Sequence, residues 1–62
     1  MNMEAYIDAV RSSLIANCGM EREDADNAIN NYELKTRIER CPLIINHDDP
    51  KAMAETINRE QL

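Results

Sequence analysis

Apolar side chains at Met3, Tyr6, Ile7, Val10 and Leu14 recur three and four residues apart, and the stripe closes on Gly19, the only glycine in the chain. That spacing puts them on one face of a helix and predicts a helix over residues 2–17. Ala5, Ala9 and Ala16 add helix propensity. Asn2 is placed to cap the start, since its short amide accepts a hydrogen bond from an orphan N–H of the first turn. Gly19 is placed to end it, since glycine enters the left-handed stop conformation without a Cβ clash.

Residues 21–40 read as one long second helix. Glu21, Glu23, Asp24 and Asp26 lie in its first turns and Lys35, Arg37 and Arg40 in its last turns, matching the two ends of the helix dipole. Its apolar stripe turns along its length: Ala25, Ala28, Ile29 and Tyr32 lie on one face, Leu34, Ile38 and Cys41 on another. Either the helix bends near Glu33, or its halves pack against different surfaces, and the second arrangement suits a dimer.

Pro42 stops that helix, because proline disfavours helical geometry in the residue before it. Residues 42–45 (Pro-Leu-Ile-Ile) form an apolar connector that is either a short strand or an extended cover on the core. Asp49 followed by Pro50 is a helix start, with a cap residue and a proline at the first helical position. A third helix is expected over about residues 50–60, with Met53, Ile57 and Ala54 facing inward and the tail Arg59–Leu62 fraying. The expected fold is therefore all-α: a single domain over residues 1–62 with three helices. The core residues expected are Met3, Ile7, Val10, Leu14, Ala25, Ile29, Tyr32, Met53 and Ile57.

A chain of 62 residues buries only about 60% of the surface its unfolded form exposes. Small scaffolds gain stability from a disulfide, a metal, close helix packing or self-association. Ile15, Met20, Leu34, Ile38, Leu43, Ile44 and Ile45 exceed what a minimal core holds, which points to a contiguous patch for self-association or for a partner protein. The interface expected is Leu34, Ile38, Leu43, Ile44 and Ile45, in a helical homodimer. With no Trp or Phe and only Tyr6 and Tyr32 as aromatics, the chain lacks the anchors that dominate base-stacking surfaces.

Twelve acidic residues against seven basic ones give a net charge of −5. That field repels phosphate backbones and anionic membranes and mildly favours a basic protein partner. Glu21, Glu23, Asp24 and Asp26 admit two readings. They are carboxylates at a helix N-terminus, or an acidic patch that imitates a nucleic acid and blocks a nucleic-acid-binding protein. No secretory leader precedes the domain and no apolar run can span a bilayer, so a cytoplasmic location with reduced Cys18 and Cys41 is expected.

No metal, cofactor or catalytic site is expected. Cys18, Cys41 and His47 are far apart in sequence, whereas zinc ligands come in close pairs. A Cys–His nucleophile needs an oxyanion site and a cleft that so short a helical chain has little room to build, and a single glycine makes no phosphate loop.

The step from Leu14 through Gly19 to Ile29 resembles a helix-turn-helix, with Ala25 and Ala28 or Ile29 at inward positions. Its second helix opens Glu21-Arg22-Glu23-Asp24, the wrong charge for a helix that enters the major groove. Cys18-Gly19-Met20 followed by Ala25 and Ile29 is also similar to the first loop and second helix of the ubiquitin-associated three-helix domain, a resemblance that implies a protein-binding loop. The third helix here comes later than that family places it. The function expected is a small acidic interaction module, regulatory or adaptor in role, working through an apolar helical surface.

Overall fold

In the computed structural model, which describes residues 1–61, every element is helical. α1 spans Met3–Cys18, α2 Arg22–Tyr32, α3 Leu34–Arg40, α4 Ile44–His47 and α5 Pro50–Glu60. The domain is all-α, as the stripes implied, with five helices among the described residues rather than three. Leu62, the end of the tail expected to fray, lies outside the described residues; Arg59 and Glu60 belong to the last turn of α5.

α1 begins and ends where its cap residues stand. The Asn2 side chain accepts a 2.8 Å hydrogen bond from the Ala5 N–H. Gly19 is left-handed at φ 71°, and the Gly19 N–H and the Met20 N–H both close back on the Leu14 carbonyl, the second at 3.2 Å, so a carbonyl left open by the helix end is satisfied. α5 likewise opens on Asp49 and Pro50 as its sequence signals. The Asp49 side chain makes no capping hydrogen bond.

The segment expected to be one long helix is broken at Glu33, which sits at φ 59°, ψ 41°. At 100° per residue, Leu34 and Ile38 in a straight helix would face roughly 160° away from Ala25, Ala28 and Ile29. One left-handed residue turns α3 back so that both groups reach the same core. Only one residue leaves the helical conformation: the Arg37 N–H already bonds the Glu33 carbonyl at 3.0 Å. The Tyr32 carbonyl, released from the helical ladder, accepts a 2.8 Å hydrogen bond from Arg37 Nε. The Arg37 guanidinium also lies 4.2 Å from the centre of the Tyr32 ring, within cation–π range.

Residues 42–45 are neither strand nor extended cover. Backbone N–H groups from Ile44 to Asp48 bond carbonyls three or four residues back, and the segment coils into the single turn of α4. A lone strand has no partner for its backbone groups, so local bonding satisfies them instead.

The core is built on α1. Tyr6, Val10 and Leu14 are fully buried, facing Ala25, Ala28 and Ile29 of α2, Leu34 and Ile38 of α3, and Met53, Ala54 and Ile57 of α5. α1 and α5 pack together most extensively. Tyr6 is the largest fully buried side chain, although it was not among the expected core residues. Its hydroxyl donates a 2.8 Å hydrogen bond to the Asp48 carbonyl, which lets a polar atom enter the core. Met3, Ile7 and Tyr32, expected inside, are half-buried against its edge. The radius of gyration, 10.4 Å, is close to the ~10.6 Å of a compact domain of this length. One chain therefore encloses its core by itself.

Candidate functional site

Two of the five residues expected at an interface belong to the core. Leu34 is 0% and Ile38 3% exposed, so neither is free to meet a partner. The turn at Glu33 is the reason, since it swings their face inward. The other three form a corner of the molecule. Leu43 is 59% exposed, Ile44 and Ile45 are half-buried with one side against the core, and Cys41 and Pro42 beside them are exposed. Pro42 fixes the entry to this corner, and the turn of α4 holds Leu43 outward while Ile44 and Ile45 lean in. Of the other surplus residues, Met20 packs on the core and Ile15 is 38% exposed.

The acidic residues of α2 divide in the same way. Glu21, Glu23 and Asp24 are exposed. Asp26 is half-buried and accepts a hydrogen bond from Arg11 Nε, while Arg11 also donates to Asp8. Arg11 thus ties α1 to α2, and its pKa is raised by the hydrogen bonds to Asp26 and then Asp8. The break at Glu33 also prevents the α2 carboxylates from running on along one helix face to Glu33 and Glu39.

A groove that the sequence did not reveal lies between α1 and the α2–α3 elbow. Its volume is about 610 Å³, and its lining includes Ile7, Arg11, Asp26, Ile29, Glu33 and Lys35. It is amphipathic, with isoleucines in the floor and charges of both signs on the rim. Only Ile7 and Arg11, one turn apart on α1, carried a trace of it in the sequence. The elbow that forms the opposite wall is a tertiary feature.

Cys18 and Cys41 are free thiols, half-buried and exposed respectively. Among the described residues no group of three or more His, Cys, Asp or Glu side chains converges as metal ligands, and no helix is long and apolar enough to cross a membrane. Burial pushes the Tyr6 hydroxyl up to about 12, helped by the charges of Asp48 and Asp49. This is a group held neutral in a structural hydrogen bond. Set against known protein families, curated proteins and solved structures, the chain matches none.

Proposed function

We propose that this chain is a small protein-interaction module, regulatory or adaptor in role, that meets a second copy or another protein through the α4 corner. The supporting observation is Leu43, a large aliphatic side chain 59% exposed and flanked by exposed Cys41 and Pro42 and half-buried Ile44 and Ile45. Apolar side chains that adjoin one another on a rigid turn present a patch, whereas single exposed ones are ordinary surface. Near it in sequence, exposed Glu39, Asp48 and Asp49 outnumber exposed Arg40, a balance that suits a partner with basic residues around an apolar contact. Neither a catalytic nor a membrane role is proposed.

The test is capture of partners from the native host by wild type and by Leu43→Asp, with sedimentation of both purified chains. The reading expects a partner, or a dimer, that Leu43→Asp loses while its circular dichroism is unchanged. Equal capture by both chains, with both monomeric, overturns it.

The second reading is an acidic inhibitor that imitates nucleic-acid charge. Exposed Glu21, Glu23 and Asp24 support it; Asp26, engaged by Arg11, contributes less. It expects binding to a nucleic-acid-binding protein that weakens steeply with salt and is lost in Glu23→Gln/Asp24→Asn. Binding that survives those changes removes it.

A further inference from the structure

We infer that two copies of this chain exchange their second halves, by straightening at Glu33 into one continuous helix over residues 22–40 that bridges two cores. Glu33 is the only non-glycine residue at positive φ among the described residues. The residue itself does not ask for a stop there, since glutamate is a good helix former and disfavours the left-handed region. The helices on either side are in place, so changing the dihedral angles of one residue joins them.

Two further observations fit the straight form. The apolar faces of α2 and α3 lie on nearly opposite sides of a continuous helix, as required of a helix that seats its first half in one core and its second half in another. α2 carries Glu23, Asp24 and Asp26 with one arginine, and α3 carries Lys35, Arg37 and Arg40 with one glutamate. An antiparallel pair of such helices sets the acidic half of one beside the basic half of the other. The bent form is held by a latch that exchange must release: the Arg37 side chain holds the Tyr32 carbonyl, and on straightening the Thr36 N–H takes its place. After exchange, α5 of each copy packs on α1 of the other, so the core contacts are rebuilt and not lost. The inference rests on the self-association named above but not on the α4 corner.

The test refolds the chain from urea at millimolar and at micromolar concentration and follows it by sedimentation. Mixed isotope-labelled and unlabelled chains then show by NMR whether α1–α5 contacts run within or between chains. Wild type refolded at millimolar concentration is expected to yield a dimer with α1–α5 contacts between chains. Glu33→Gly relaxes the elbow and weakens the straight helix, roughly tenfold per chain, so the dimer dissociation constant rises roughly a hundredfold. Glu33→Val does the reverse, because β-branched residues tolerate positive φ worst. If Glu33→Val does not fold, the pair of wild type and Glu33→Gly decides.

Wild type that stays monomeric after concentrated refolding overturns the inference. So does a dimer whose α1–α5 contacts stay within each chain. Leu43→Asp separates the two proposals: an exchanged dimer persists in it, whereas a dimer formed by the α4 corner does not.

Discussion

Leu34→Ala tests whether the second half of the long charged segment belongs to the core. Leu34 is fully buried, and the substitution removes three carbons. At about 0.8 kcal/mol per buried carbon group, their transfer is worth about 2.4 kcal/mol. A residual cavity adds to this, but Leu34 also borders the groove between α1 and the elbow, so neighbouring side chains have room to relax. The expected loss is therefore about 2–3 kcal/mol, in the lower part of the range for buried leucines. A core of this size rarely supplies more than about 3–5 kcal/mol in all, so the variant keeps at most about 60% of its stability. With a urea slope near 1 kcal/mol per molar for so short a chain, the midpoint falls by roughly 2–3 M. Leu43→Ala is the internal control: at 59% exposure it should change stability by no more than about 0.5 kcal/mol. The assay is urea denaturation followed by circular dichroism at a concentration where the chain is monomeric. Equal midpoints for Leu34→Ala and wild type, or a Leu43→Ala loss as large as that of Leu34→Ala, would refute the placement of α3.

The Tyr6 hydroxyl, raised from 10 to about 12 by burial and nearby carboxylates, holds its proton more tightly folded than unfolded. Its stabilisation is complete below pH 10 and lost as pH climbs towards 12, roughly 2–3 kcal/mol in all. Urea midpoints across that window should fall in wild type and fall less in Tyr6→Phe, which below pH 10 should lose about 1 kcal/mol with its hydrogen bond. Gly19→Ala should cost about 1 kcal/mol by thermal unfolding from backbone strain alone, since a Cβ there meets nothing within 4 Å. Asn2→Ala removes the α1 cap and should cost about 1 kcal/mol, with faster amide hydrogen exchange confined to the first turn.

The parts of the fold legible in the sequence are those set by neighbours in the chain. Asn2, Gly19, Asp49 and Pro50 mark helix ends by local geometry, and the ends fall where they stand. The elbow was less legible. Glutamate at position 33 favours helix, and the charges from Glu21 to Arg40 run as they do in one continuous helix. What breaks it is the demand of Leu34 and Ile38 for the same core as Ala25 and Ile29, which is a property of the whole fold. The turning stripe carried that conflict without saying which way it resolves. The same fact removes two of the five residues expected at the interface: a surplus counted along the sequence shrinks once the chain folds back to cover it. Residues 42–45 were ambiguous because two isoleucines in a row favour a strand only where a partner strand exists. The Arg11–Asp26 tie and the bond from Tyr6 to the Asp48 carbonyl join positions 15 and 42 residues apart, separations at which no sequence spacing speaks.

The close packing of α1 on α5 has a consequence for how the chain acquires its structure. α1 waits for α5, which follows it by about thirty residues, with α2, α3 and α4 contained in the loop between them. Tyr6, Val10 and Leu14 therefore stay only partly covered on a growing chain until residue 57 or so has been synthesised, and no shorter fragment can shield them fully. Closing so long a loop makes folding depend on distant contacts even though every element is a helix. It follows that the molecule should form and lose its core in a single step, and that a fragment lacking α5 should leave its apolar centre partly exposed.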